Sequence, residues 1–389
     1  MESRLVYMDH AATTPVHPKV LEAMMPYFNQ EYGNPNSVHS LGRSAREAVD
    51  RARETVAQIL NCQSQEIVFT SCGTESINLA IKGIAKARGK TGHIITSAIE
   101  HHAVLHTIEQ LEREGYTATI LPVSPDGLVD PDDVRNAIRP DTVVISIGYA
   151  NNEIGTIQPI REIGSIAREA GIPFHTDAVQ AAGSLSLNVE ELQVDALSLS
   201  GHKFNAPKGV GILYIRSGIP LEPQMQGGGQ ESGRRSGTEN VPYIVGIAEA
   251  LRLAQENLEA HNEHCISLRE KLFEGILSEL PDTRVNGHRT QRLPNNAHVA
   301  FRGIEAQSIL MGLDLKGICA SSGSACHSAS IEPSHVLKAI GVPSEYIYGS
   351  VRLTVGIDNS QEDVSYVLEV LPSLVRRLQS LSPLVESAS

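Results

Sequence analysis

Lys203 closes the run ALSLSGHK, where an apolar stretch, Ala196–Ser200, delivers Ser200, Gly201, His202 and Lys203 into a turn ahead of the Pro/Gly-rich FNAPKG. A lysine in a partly desolvated turn has its ammonium form disfavoured, so its amine can form a Schiff base with a carbonyl. Alone, such a lysine is more often a surface residue; its company changes the reading. In PFHTDAVQ (Pro173–Gln180), Asp177 ends another buried run, and a carboxylate there needs a cationic partner, though a helix N-cap would also account for it. Gln180, three residues on, can hydrogen-bond an oxygen of the same ligand. In TSCGTES (Thr70–Ser76), small residues with Gly73 and Thr74 precede a helical pattern, and a helix N-terminus offers N–H groups and a hydroxyl to a phosphate. Ser200 and His202 can add to that cradle. After the run His93–Ser97 come Glu100, His101 and His102; an imidazole beyond a strand end can stack on a flat ring and move protons.

In chain order these are a phosphate loop, a stacking histidine, a pairing acid and a Schiff-base lysine. Together they describe a site for pyridoxal 5'-phosphate (PLP), whose ring stays an electron sink when an acid holds its pyridine nitrogen. The adjacent histidines do not have a metal-ligand spacing with a carboxylate, and His261 and His264 beside Cys265 fit a polar helix face. No metal site is expected.

The elements that must carry these residues alternate. Strands are expected at Glu66–Thr70, His93–Ser97, Thr117–Leu121, Thr142–Gly148, Pro173–Asp177, Ala196–Ser200 and Gly211–Ile215, with helices at Ser76–Ala87, Ala103–Glu114 and Ile160–Ala170 ending at Gly171. Such alternation implies an α/β fold with a mostly parallel (mixed) seven-stranded sheet covered on both faces. Ligands of such sheets bind at the strand carboxyl ends, where the polar residues above lie. From Val245 to Leu280 one almost unbroken helical pattern runs through Ile247, Leu251, Leu258, Cys265, Leu268, Leu272 and Ile276. Asn295–Phe301, Ser308–Leu313 and Ser350–Val355 then suggest a smaller α+β domain. The expected division is a large PLP-binding domain at 15–258, a small domain from 1–14 and 259–380, and a flexible tail at 381–389.

The chain's 389 residues exceed one ordinary core, and 41% hydrophobic with 20% charged residues is a globular balance. With Lys plus Arg at 32 against Asp plus Glu at 45, the formal charge of −13 argues against a nucleic-acid surface. No run approaches a membrane span or a signal peptide. Five scattered cysteines do not make a disulfide framework, which fits a reducing, cytoplasmic compartment. Cys62, Cys265 and Cys319 read as small buried hydrophobes. Cys326 does not: it sits in CASSGSACHSAS (Cys319–Ser330), without apolar periodicity, and reads as a reactive thiol on a mobile loop.

MDHAATTPVHP, GNPNS (Gly33–Ser37), TSCGTESINLAIKG, EHHAV, NNEIGTIQPI, HTDAVQ, SGHKFNAPKG, GGGQESGRRSGTEN and SSGSACHSASIEPSHVL, in this order, resemble group I cysteine desulfurases of the NifS/IscS type. These form a branch of the class V aminotransferases within the fold-type I PLP enzymes. The resemblance implies Lys203 as the Schiff-base lysine, His101 as the stacking and proton-transfer histidine, Asp177 on the pyridine nitrogen and Gln180 on the phenolic oxygen. It implies Gly73, Thr74, Ser200 and His202 around the phosphate, and Thr238 as a phosphate ligand given by the other subunit of a homodimer. Asn152 would contact the cofactor oxygen or substrate carboxylate, and Arg352 would grip that carboxylate with Asn34 nearby. It also implies conversion of L-cysteine to L-alanine, with the sulfur held as a persulfide on Cys326. The sulfur would then pass to an iron–sulfur scaffold or another acceptor protein. Cys72 stands where many relatives carry Gly, and His327 where Thr is common. The rival readings are a class V aminotransferase in which Cys326 is incidental, a catalytically silent binding scaffold, and a selenocysteine lyase-like activity.

Overall fold

The computed structural model describes residues 4–322 and 333–382. Its strands, in chain order, are β1 (Val6–Tyr7), β2 (Ile67–Thr70), β3 (His93–Ser97), β4 (Thr117–Leu121), β5 (Thr142–Ser146), β6 (Phe174–Asp177), β7 (Ala196–Ser200), β8 (Gly211–Ile215), β9 (Thr283–Val285), β10 (Asn296–Phe301), β11 (Ile318–Cys319) and β12 (Ser350–Thr354). Seven of them form one sheet in the order β2-β8-β7-β6-β5-β3-β4. The run from β7 to β4 is parallel, while β8 is antiparallel to both β7 and β2.

Both faces of this sheet are buried except at the edge strand β4, which is why most of its strands are rich in apolar residues. Alternate residues separate the two sides. Phe69, Ile95, Ile145, Leu197 and Ile212 join a core with the helices Ser40–Leu60, Ile160–Ala170 and Val241–Glu256. Val68, Ile94, Val144, Ala196 and Leu213 join another with the helices Gly73–Arg88 and His102–Arg113. A separate core gathers Val6 and Met8 of the N-terminal segment with the antiparallel sheet β12-β10-β9 and the helices Leu258–Glu279 and Gln361–Leu381. The short parallel pair β1-β11 completes that part.

The helical pattern from Val245 to Leu280 is two helices rather than one, broken at Asn257 (φ −106°, ψ 13°). Its side-chain Nδ2 donates to the Leu253 carbonyl at 2.8 Å. An asparagine that offers the backbone a local partner competes with the helix ladder. Ile247 and Leu251 therefore pack on the large sheet while Cys265, Leu268, Leu272 and Ile276 turn to the other core. A second difference bears on the site. The helix expected from Ser76 begins at Gly73, because Cys72 caps it by accepting the Glu75 N–H on Sγ at 3.4 Å. Gly73 and Thr74 thus lie in the first turn, not in the loop before it. Cys265 is buried as expected, whereas Cys62 and Cys319 are only half-buried.

Two histidines are enclosed by the strands. His175 on β6 lies between the hydroxyls of Ser146 and Ser198, each 2.9 Å away, and His298 on β10 hydrogen-bonds Asn286 at 3.1 Å. Burial pushes both rings down to about 3. The unfolded chain protonates such rings near pH ~6.5 and the folded chain does not. The stability they confer is complete above that pH and is lost as pH falls toward the folded value, at about 1.4 kcal/mol per pH unit for each ring. Denaturant unfolding followed between about pH 6.5 and 4.5 should show this decline, and His175→Gln should make it shallower. An unchanged slope in the variant would contradict the account.

Candidate active site

The carboxyl ends of β3, β5, β6 and β7 open into one cavity of about 340 Å³, closed from above by residues of β12 and by the N-terminal segment. β7 delivers Ser200 into a tight turn over Gly201–Lys203. There Lys203 Nζ donates to the carbonyl oxygens of Ala11 at 2.6 Å and Ala12 at 2.9 Å. His202 holds the same N-terminal segment, its Nδ1 3.2 Å from Thr13 Oγ1 and its carbonyl accepting from the Thr14 N–H at 2.9 Å. Burial first, and then Lys203 beside it, push His202 down to about 4.

Asp177 ends β6, its Oδ1 accepting the Val179 N–H at 3.0 Å, a short-range turn contact and not a helix cap. Burial raises its pKa, opposed by His101 and Lys203 nearby. Gln180 Nε2 donates to the Ala11 carbonyl at 3.0 Å, so this carbonyl receives both Gln180 and Lys203. His101 caps the helix His102–Arg113 by accepting the Ala103 N–H on Nδ1 at 3.1 Å. That contact keeps Nδ1 unprotonated, so the neutral ring carries its proton on Nε2. Burial adds to this by lowering the ring's pKa, with Asp177 pulling the other way.

At the start of the helix Gly73–Arg88, no acceptor is found among the described residues for the N–H groups of Gly73 and Thr74. A Cβ on Gly73 would lie 2.9 Å from Val179 Cγ2 and 3.0 Å from Ser200 Cβ, so only glycine lets the helix end meet the end of β7. Across the cavity, Arg352 on β12 is 2% exposed and donates to the Asn152 carbonyl at 2.8 Å and to Asp9 Oδ1 at 2.9 Å.

The cavity therefore brings together Gly73, Thr74, His101, Asn152, Asp177, Gln180, Ser200, His202, Lys203 and Arg352. It does not include Thr238, which lines a different cavity with Ser71, Arg235 and Glu239. Nor does it include Asn34, whose Oδ1 accepts the Asn36 N–H at 2.9 Å in a surface turn. Cys326 and His327 lie outside the described residues. The flanking residues on either side attach at the cavity rim. Ser321 pairs with the Arg352 backbone, and Ser334 Oγ donates to Glu153 Oε2 at 2.6 Å.

Several lining groups were not assigned roles from the sequence. Glu100, the residue before His101, is buried, accepting from Ser97 Oγ at 2.6 Å and from the Gly148 N–H at 3.0 Å. Burial raises its carboxyl to about 7, against the pull of those hydrogen bonds. A Cβ on Gly148 would stand 3.0 Å from Glu100 Oε2, so glycine there makes room for the carboxylate, a fit that the sequence does not display. Asn151 shapes the loop before Asn152, donating to the Ile99 carbonyl and accepting the Glu153 and Ile154 N–H groups. The Ala11 and Ala12 carbonyls have no side-chain signature at all.

These groups fit PLP. The open first turn at Gly73–Thr74, with the Ser200 hydroxyl and His202, suits a phosphate. Among the described residues no cation is found hydrogen-bonded to Asp177, which suits a protonated ring nitrogen. His101 presents Nε2, for which no hydrogen-bond partner is found among the described residues, and Lys203 lies within the same cavity. Gly73→Ala should force the helix end away from Ser200 and weaken PLP binding by roughly tenfold to a hundredfold, the cost of about 1–3 kcal/mol of overpacking. Titration of the apo-protein by visible absorbance measures this, with far-ultraviolet circular dichroism as the fold control. Undiminished affinity would contradict the cradle.

The family model "Aminotransferase class-V" matches residues 6–367. The chain is 56% identical to "Cysteine desulfurase IscS" of Methanosarcina thermophila, over 98% of this chain and 95% of that protein. It is 50% identical to the protein of the same name from Dictyoglomus turgidum, covering 98% of this chain and 97% of the other. Among solved structures, "NIFS-LIKE PROTEIN" superposes with a TM-score of 0.91 at 39% identity, covering 96% of this chain and all of that one. "SspA in complex with cysteine" does so with a TM-score of 0.81 at 40% identity, covering 90% and 99%.

Proposed function

The chain belongs to the class-V aminotransferase family, on its cysteine desulfurase branch, and on that premise we propose how its own residues carry out the desulfuration of L-cysteine. The reaction takes L-cysteine to L-alanine, and its cofactor is PLP. The observation that carries the assignment of roles is the convergence of Lys203, His101, Asp177 and Arg352 on one cavity at the sheet's carboxyl edge.

Bound PLP supplies an electron sink for the charge left on the substrate when its Cα–H and C–S bonds break. Asp177 would pair with the ring nitrogen and keep it protonated, and His101 would hold the ring from within the same cavity. Arg352 pairs with the substrate α-carboxylate, its guanidinium geometry matching both oxygens. Lys203, on leaving the carbonyls of Ala11 and Ala12, takes the Cα proton. Cys326, as thiolate, attacks the substrate sulfur. The new S–S bond makes a persulfide on Cys326, the C–S bond breaks, and protons return to the carbon skeleton, which departs as L-alanine. The attachment of both flanking segments at the cavity rim, through Ser321 and Ser334, supports Cys326 in this role.

The wider setting follows the same reading. Thr238 stands outside its own chain's cavity, which supports its donation to the phosphate of a partner subunit. Leu21, Met25, Phe28, Tyr32 and Val38 are each at least half exposed along one N-terminal stretch, an apolar surface suited to a homodimer. The separate core containing Val6 and Met8 supports grouping residues 1–14 with 259–380 apart from 15–258. No described helix is long and apolar enough to cross a membrane. The persulfide would pass to an iron–sulfur scaffold or another thiol acceptor, in the cytoplasm.

Intact-mass measurement after incubation with L-cysteine should find one added sulfur atom, mapped to Cys326. Cys326→Ala should lower alanine and sulfide formation by roughly a hundredfold or more, as loss of a nucleophile does. Sulfur carried on another cysteine, or keto-acid formation undiminished in the variant, would contradict the proposal.

A further inference from the structure

The segment Asp9–Thr14 touches site residues from three separate elements. Asp9 pairs with Arg352, Ala11 and Ala12 hold Lys203, Ala11 also accepts from Gln180, and Thr13 meets His202. The chemistry above gives the Asp9 carboxylate no task, yet it contacts the guanidinium assigned to the substrate.

Two contacts fix that guanidinium from different sides. One terminal nitrogen donates to Asp9 Oδ1 at 2.9 Å and the other to the Asn152 carbonyl at 2.8 Å. Because the group is planar and its N–H directions are rigid, anchoring both terminal nitrogens sets its plane and its rotation. Asp9 is itself held in place. Its backbone bridges to Thr354, two residues beyond Arg352 on the same strand, and its carbonyl accepts from the Ala12 N–H at 3.0 Å. The Arg352 side chain is 2% exposed against 20% for Asp9, so the carboxylate also supplies counter-charge to a buried cation.

We propose that Asp9 is a positioning residue for substrate recognition, locking the Arg352 guanidinium in the orientation that receives the α-carboxylate of an amino acid. This rests on the reading of Arg352 as the carboxylate-binding group. Asp9 acts before the chemistry, on how well the substrate is held, and it need not touch the substrate. The same strap carries the carbonyls that hold Lys203, so the group that binds the substrate and the group that takes its proton are registered against one short piece of backbone.

The test compares L-cysteine with L-cysteine methyl ester, which lacks the charged carboxylate, on the PLP-loaded full chain. Asp9→Ala should raise KM for L-cysteine about tenfold, the size of one charge-assisted hydrogen bond, and change kcat far less. The same variant should leave kcat/KM for the ester close to the wild-type value. Asp9→Asn, which keeps an oxygen acceptor, should restore part of the KM and guards against a folding defect in the alanine variant. Equal losses on both substrates would mean a general structural role and overturn the proposal. A fall in KM would mean that Asp9 competes with the substrate for Arg352, and would also overturn it. Arg352→Gln serves as the separate control. If that variant does not distinguish cysteine from the ester, the reading of Arg352 fails and the proposal with it. If Arg352→Gln distinguishes them and Asp9→Ala does not, the proposal alone fails.

Discussion

Lys203 Nζ rests on the carbonyl oxygens of Ala11 and Ala12, at 2.6 and 2.9 Å, and the rest of the site is arranged around that contact. The N-terminal segment begins in the core of the smaller sheet, where Val6 and Met8 are buried, and reaches the end of β7 here, with Thr13 and Thr14 meeting His202 beside the lysine. The contact therefore ties two independently packed cores together across the cavity. Backbone carbonyls suit the task. They accept hydrogen bonds from the lysine without adding the full opposite charge of a carboxylate, so no ion pair has to be broken. Lys203 is held in place and can still be released.

Around that contact, burial suppresses charge. Asp177 and Glu100 are raised, the latter to about 7, while His101 is lowered and His202 falls to about 4. The common cause is desolvation at the ends of fully buried strands. Such a site is electrostatically incomplete in a specific sense. A protonated ring nitrogen would stabilise the Asp177 carboxylate, and a phosphate would meet the open first turn at Gly73 and the hydroxyl of Ser200. The cofactor supplies the charges that the protein alone does not place there. Glu100 has a different part, joining the ends of β3 and β5 through Ser97 and Gly148.

Much of this was legible in the sequence because the sheet is buried on both faces. Its strands are short apolar runs with few alternative readings, and β3, β4, β7 and β8 fall at the positions the pattern gives. The site residues stand out for the same reason, as polar side chains directly following apolar strands. What escaped has physical explanations. Asn257 interrupts a helix without disturbing its apolar spacing, so periodicity runs straight through the break. The carbonyls of Ala11 and Ala12 act through backbone atoms that every residue has, so the motif was visible and its task was not. Asp9 lies far from Arg352 along the chain and meets it only because β1 and β12 share one core. Thr238 and Asn34 carry no local pattern that says which cavity they serve, and the fold places them outside this one.

The central claim is that Lys203, at the end of β7, is the residue that holds the cofactor. Loading the purified chain with PLP, reducing with borohydride and mapping the peptides tests it directly. The account predicts that the cofactor is fixed covalently to the peptide containing Lys203, and that Lys203→Ala abolishes both the fixation and the visible absorbance. Fixation to another lysine, or unchanged fixation in the variant, would contradict it.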